Sequence, residues 1–363
     1  MRAPSIALLV LAASLAACRA TPSPRASNGN EADAAVDVAR PPEQGATATI
    51  PTGSAPAAVP PKNRARPLGD GALGDILVGE PPSGAHPKGT VVAVAIDGGK
   101  SESAGLVEID VATGNEVKRS RTLVTAVSAG VLTAREGDDV HVIAMQGSSI
   151  VWVTATRALA ESHRLVTKPS GVITAGTARL LDFAVVGGKA FVAVDSSGVK
   201  VLVVDARGGV LATHDCHAFA RPGGSTSSLL RVGPWVVVPD LIDDKAGGVL
   251  CGVRADATGK PLVRKLGFTL GVFTHGGVTY VEGESLRRLD DTLTPTGDAV
   301  ADPRRCGERA EDCTPSEVAA HCDGLSGEGV AKMVSFGTVR VLRTLGCCGG
   351  PPGGVFVCEG PPR

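Results

Sequence analysis

Val201-Leu-Val-Val-Asp205-Ala-Arg-Gly208-Gly-Val-Leu211 is an apolar run, an Asp-to-Gly turn and a second apolar run, and close relatives of it recur along the chain. Val107-Glu-Ile-Asp110-Val-Ala-Thr-Gly114-Asn-Glu-Val117 has the same plan, and so does Val253-Arg-Ala-Asp256-Ala-Thr-Gly259-Lys-Pro-Leu262. An Asp side chain bonds turn backbone and a Gly accepts positive φ, so each stretch reads as a β-hairpin.

Outward from these stretches, short runs rich in Val, Leu and Thr alternate with Gly/Asp turns from about Val91 onward, and long helical periodicity is almost absent. Six hairpins follow: Val91–Ile96 with Leu106–Val111, Val140–Met145 with Ile150–Thr154, Phe191–Val194 with Val199–Val204, Val236–Val238 with Val249–Val253, Val278–Val281 with Leu286–Leu289, and Val339–Leu342 with Val355–Val357. Their first strands begin 49, 51, 45, 42 and 61 residues after the one before, the last gap holding an insertion. A period of about 40–50 residues with four strands per unit is that of propeller blades, whereas solenoid repeats are shorter or helical. The expected fold is therefore all-β, a β-propeller of about six four-stranded blades, with seven as the alternative count. Weaker β-runs at Ala129–Ala134, Leu180–Val186 and Gly271–Thr274 fall where innermost strands belong, and a strand between Leu73 and Glu80 either opens the first blade or closes the last.

Composition narrows the partners. Hydrophobic residues are 43% but aromatics only 3%, with none before Trp152, so small and β-branched side chains must fill the core. The 36 basic and 37 acidic residues nearly cancel and no polybasic block stands out, which argues against nucleic acid or an anionic membrane surface as a partner.

Residues 1–17 read as a secretion signal: Arg2 is basic, Ile6 to Leu15 is a short apolar run, and small residues follow. Leu15-Ala16-Ala17-Cys18 resembles the lipobox of bacterial lipoproteins, which implies lipidation of Cys18 and membrane attachment through the acyl chains. Arg19 in place of Asp favours, by the same resemblance, the outer membrane. Residues 18–67, with nine prolines after Arg19 and no aromatic residue, bury too little apolar surface to fold and are expected to be a tether spanning roughly 40 Å. Residues 68–363 make up the propeller, with a Cys-rich insertion at about 300–330. Gly69-Asp-Gly71-Ala-Leu-Gly74 matches a dinucleotide-site pattern, but neither the preceding strand nor the following helix is there.

The Asp110-Val-Ala-Thr113-Gly114 turn resembles the repeat of quinoprotein-type β-propellers, and a tethered propeller is similar in layout to the propeller component of outer-membrane β-barrel assembly machinery. Quinoprotein repeats carry a docking Trp a few residues past the Gly. Asn115-Glu-Val-Lys-Arg119 and Lys260-Pro-Leu-Val-Arg264 have none, so no cofactor is expected.

With Cys18 assigned to lipid, eight cysteines remain: Cys216, Cys251, Cys306, Cys313, Cys322, Cys347, Cys348 and Cys358. An even number in an exported chain reads as disulfides. Cys216 with Cys251 would join neighbouring blades. Thr314-Pro315-Ser316-Glu317 is a capping box, so a short helix is expected over 315 to about 322, with Cys313 and Cys322 flanking it.

Other chemistry is weighed and set aside. His214, Cys216, His217 and His321 are zinc-ligand types, but no paired C-x2-C spacing accompanies them. Asp240, Asp243 and Asp244 read as an acidic loop, and His141 and His275 as structural. No nucleophile elbow, zinc-protease or EF-hand pattern occurs, so no catalytic, metal or cofactor-binding residue is assigned. Trp152, Trp235 and Tyr280 are few as carbohydrate platforms. The expected function is a non-catalytic cell-envelope lipoprotein that binds or scaffolds envelope proteins. The alternative is an extracytoplasmic propeller enzyme, a quinone-dependent dehydrogenase, hydrolase or lyase.

Overall fold

Each hairpin forms, and each gains a strand on either side. A computed structural model describes residues 63–69, 72–97, 102–127, 130–169, 178–196, 198–216, 219–220, 229–243, 247–303, 318, 322–323, 325, 330–336, 339–344 and 354–359. The first blade is Ala72–Val78, Thr90–Asp97, Ser103–Asp110 and Glu116–Arg119, antiparallel and in sequence order. The second is Val131–Glu136, Asp139–Gln146, Ser149–Ala155 and Glu161–Thr167; the third is Arg179–Val186, Lys189–Asp195, Val199–Val204 and Val210–Asp215. In the fourth, Leu230–Val232 and Phe219–Ala220 both pair with Trp235–Asp243, and Gly247–Arg254 and Leu262–Gly267 follow. The fifth is Thr269–His275, Val278–Gly283, Leu286–Leu289 and Pro295–Thr296.

The sixth blade closes the ring. Its strands Val330–Phe336, Val339–Thr344 and Val355–Glu359 take their fourth member, Arg66–Pro67, from the other end of the chain. Leu68 N–H donates to Val355 O at 2.8 Å and extends that ladder. Ala72–Val78 thus opens the first blade, and the closing strand lies just ahead of it. First strands of successive blades lie side by side around the axis: Val330–Phe336, Ala72–Val78, Val131–Glu136 and Arg179–Val186.

Alternation of side chains builds the seams between blades. Val91 and Ala93 pack toward the sixth blade with Val334, Val341 and Val357, while Val92 and Val94 pack toward the second with Val140, Val142 and Ala144. A strand covered on both faces has no polar side, which is why the middle strands are continuous apolar runs. Outer strands such as Glu161–Thr167 are largely exposed and polar.

The described residues of the Cys-rich insertion pack on the other face of the sixth blade. Val318, Cys322 and Leu325 cluster with Leu342 and Cys358, and Cys322–Asp323 pairs in parallel with Asn63–Arg64. The folded unit therefore reaches back to Asn63. Of the expected helix over 315–322, Val318 is helical and Cys322 lies in a strand; its other residues lie outside the described ones. The signal segment, Cys18 and the tether up to residue 62 lie outside the described residues as well, as do Cys306, Cys313, Cys347 and Cys348. Cys216 bonds to Cys251 across the seam of the third and fourth blades, and Cys322 bonds to Cys358 of the sixth.

The repeated turn does what its chemistry dictates. Asp110 Oδ1 accepts from Thr113 N and Oγ1, Asp205 Oδ1 from Arg207 N and Gly209 N, and Asp256 Oδ1 from Thr258 N and Oγ1. Gly114, Gly208 and Gly259 all have positive φ. One correction concerns the fourth blade, where the turn matching Asp205–Gly208 is Arg254–Ala257, closed by Ala257 N–H to Arg254 O. Two further copies, Thr156–Leu159 and Asp290–Leu293, close the same way with a leucine at positive φ.

Candidate functional site at the propeller axis

The inner strands depart from regular pairing in four blades. Their ladders skip between Leu73 and Ile76, Leu180 and Asp182, Thr269 and Gly271, and Val330 and Lys332. Such bulges re-aim side chains at the rims of sheets and beside functional sites. Asp182 opposite Ala193, Gly271 opposite Glu282 and Lys332 opposite Arg343 each form the fifth pair from their hairpin turn, so they occupy equivalent places in three blades. Asp75 lies within the bulge of the first blade, and Thr133 sits on the regular inner strand of the second.

These positions converge on one charged cluster. Asp75, only 3% exposed, accepts at Oδ2 from Thr133 N at 2.8 Å, Thr133 Oγ1 at 2.7 Å and Lys332 Nζ at 2.9 Å. Lys332 also donates to Thr133 O at 3.4 Å, and Arg343 Nη1 stands 3.9 Å from Asp75 Oδ1. Three blades are joined through one carboxylate, with the ammonium making the strongest kind of bond in the set.

Asp182 adds a second acid from the third blade. Burial pushes its carboxyl up to about 6; the neighbouring Asp75 charge works in the same direction, while N–H donation from Phe183 and Leu229 and the Lys332 charge work against it. Protein crowds the side chain closely, yet part of its surface stays accessible. An acid that exchanges its proton near neutrality beside a fixed ammonium can donate or accept a proton from a bound molecule.

The residues weighed from sequence fall elsewhere. Cys216 is committed to its disulfide and cannot offer a thiolate to a metal; His217 and His321 lie outside the described residues. His214 and His141 are buried, and burial pushes both imidazoles down toward the neutral form. His141 Nδ1 is met by Trp152 Nε1–H at 3.3 Å and lies 3.1 Å from Thr154 Oγ1, a structural placement. His275 ends the inner strand of the fifth blade. Asp240 and Asp243 lie within strand Trp235–Asp243 and not in a loop, because the ladder with Gly247–Arg254 continues past a bulge at Val238/Leu241; Asp244 lies outside the described residues. Trp152 and Tyr280 are buried, and Trp235 lies under Arg254 with its Nε1–H on Asp291 O at 2.7 Å, so none is an open sugar platform.

Asp75, Asp182, Lys332 and Arg343 were not singled out from sequence. A signal existed, since Asp75 and Asp182 interrupt apolar runs at Gly74-Asp75-Ile76 and Leu181-Asp182-Phe183. Their convergence had none: Lys332 is 257 residues from Asp75 and reaches it only when the ring closes.

Fold and site together define a six-bladed β-propeller with a charged axial layer. No protein-family profile matches the sequence, and no curated protein matches it. Solved structures similar in fold include a variant of the Synechocystis apocarotenoid oxygenase, at 10% identity and a TM-score of 0.36 over 62% of this chain and 60% of that one. A Bacteroides caccae protein of unknown function matches at 14% and 0.36 over 69% and 81%, and BamB from Moraxella catarrhalis at 13% and 0.31 over 82% and 97%. The chain thus spans about 60% of the length of the oxygenase it matches. These likenesses concern the course of the backbone and carry nothing about ligand or activity.

Proposed function

We propose that the chain is a bacterial cell-envelope lipoprotein whose propeller is a non-catalytic binding or scaffolding module. The observation that carries this reading is the commitment of Asp75: Thr133 and Lys332 occupy it, so the most buried axial acid clamps blades together and is not free for chemistry. The address rests on the lipobox-like Leu15-Ala16-Ala17-Cys18 and on disulfides, which persist in oxidising compartments. Arg19 favours the outer membrane. The partners in this reading are envelope proteins, held by loops on one face of the ring.

The test is fractionation and capture in one strain. Wild-type protein is expected in the membrane fraction with an envelope protein bound, and Cys18→Ser protein in the soluble fraction. Continued membrane association of the Ser variant would refute the anchor, and a clean capture against envelope extract would refute the scaffold. A second reading, an extracytoplasmic enzyme such as a hydrolase, lyase or quinone-dependent dehydrogenase, is favoured by Asp182, whose proton is exchangeable near neutrality. A quinone absorption band in the purified protein would decide for it.

A further inference from the structure

We propose that the axial layer binds a small monoanionic organic carboxylate between Arg343 and Lys332. The inference goes beyond the scaffold reading and does not depend on the lipid anchor.

Arg343 is the starting point. Its guanidinium is half-buried on the second strand of the sixth blade, and its one ion contact among the described residues is the 3.9 Å approach to Asp75. That distance is beyond hydrogen-bond reach, so a five-donor fork faces the axial cluster with no acceptor in place among the described residues. A planar carboxylate fits such a fork with two parallel bonds. Lys332, directly opposite Arg343 in the ladder, brings a second cation; two of its donors go to Asp75 and to Thr133 O, which leaves the third.

Room and charge agree with this. At the place in the fifth blade equivalent to Lys332 and Asp182 stands Gly271, and a Cβ built there meets no atom within 4 Å. The fifth blade thus puts no side chain into the layer at that place. Two cations, Lys332 and Arg343, stand within 4 Å of one carboxylate, Asp75, which already accepts from the lysine. These three groups sum to one positive charge, which one carboxylate neutralises. A dianion such as inorganic sulfate would leave them net negative beside a second acid, Asp182, where an unbalanced charge is costly.

The experiment is calorimetric titration at pH 6 of the full chain, disulfides formed, with acetate and, in a separate arm, inorganic sulfate. Acetate is expected to bind saturably and more tightly than sulfate. Arg343→Gln should weaken acetate at least tenfold, Arg343→Lys should fall between it and wild type, and Arg119→Gln, on the exposed edge of the first blade, should match wild type. Because Arg343 makes no hydrogen bond among the described residues, both of its variants are expected to keep the wild-type circular dichroism spectrum. Absence of saturable acetate binding by wild-type protein, equal affinity in Arg343→Gln, or tighter binding of sulfate would each overturn the proposal.

Discussion

Leucine at positive φ is costly, of order 1–3 kcal/mol, and persists only where surrounding structure holds it. Leu293 (φ 57) is fully buried between the fourth and fifth blades with Val237 and Leu250, and Leu159 (φ 59) is buried between the first and second. These side chains plug seams from within the turn itself. Gly252 exists for the plug: a Cβ there would lie 2.4 Å from Leu293 Cδ1 and 3.4 Å from Trp235 Cε3. Gly252→Ala is expected to cost about 1–3 kcal/mol by overpacking and Leu293→Ala about 2–5 kcal/mol by cavity formation. In the double variant the two costs should sum to less than their separate values, measured as denaturant midpoints in a double-mutant cycle; strict additivity would show that the two residues do not meet. The Asp-Gly turns were legible because their cause is local. Leu159 and Leu293 were not, since packing from the neighbouring blade imposes their conformation.

A second expectation at this scale concerns Asp182. Its ordinary value is 3.8 and its folded value about 6, so between these the folded chain holds a proton that the unfolded chain has released. Stability from this group is therefore present at low pH and is lost as pH rises through that window, by up to about 3 kcal/mol. Asp182→Asn cannot ionise. It should be more stable than wild type at pH 8, with the advantage fading toward pH 4 in chemical denaturation. His141 and His214, which burial holds neutral, oppose folding as pH falls but do so equally in both proteins, so the difference isolates Asp182.

At the scale of elements, the hairpins were readable from alternation and spacing because each is a contiguous stretch. The ring closure and the bulges were not, because both depend on partners distant in sequence. Arg66–Pro67 is a two-residue strand, short for its role, and Arg66 reinforces it. Its Nη2 donates to Val111 O at 2.6 Å and Ala112 O at 3.3 Å, tying the sixth blade's last strand to a turn of the first. Arg66→Ala should destabilise by about 1–2 kcal/mol, the range of a hydrogen bond from a charged donor that is partly exposed. Backbone amides of Val355–Glu359, which Arg66–Pro67 covers, should lose hydrogen-exchange protection ahead of those in the second and third blades. Uniform loss across all blades would mean that the closing strand is not a separable clasp.

For the whole molecule, the two disulfides among the described residues complete what the thin Val- and Ala-rich seams begin. Cys216–Cys251 spans 35 residues and Cys322–Cys358 spans 36, so loop-closure entropy assigns each about 4 kcal/mol at most. Equal loops do not imply equal consequences. The first bond crosses a seam already filled by Phe191, Val201, Val236 and Val253, so those blades remain packed without it. The second fastens the insertion, and Cys322–Asp323 in turn pairs with Asn63–Arg64 immediately before the closing strand. Replacing Cys216 and Cys251 together by Ala should lower the unfolding free energy by about 2–4 kcal/mol and leave the folded protein's proteolytic pattern unchanged. Replacing Cys322 and Cys358 should have a similar effect on global stability and in addition expose new cleavage sites between residues 303 and 330 and ahead of Arg66 under native conditions. Proteolysis of both variants, read by mass spectrometry, separates a bond that only stabilises from one that also holds the insertion and the clasp to the ring. If the two patterns are identical, the insertion is held by its apolar contacts with Leu342 and Met333 and the disulfide is redundant to the closure.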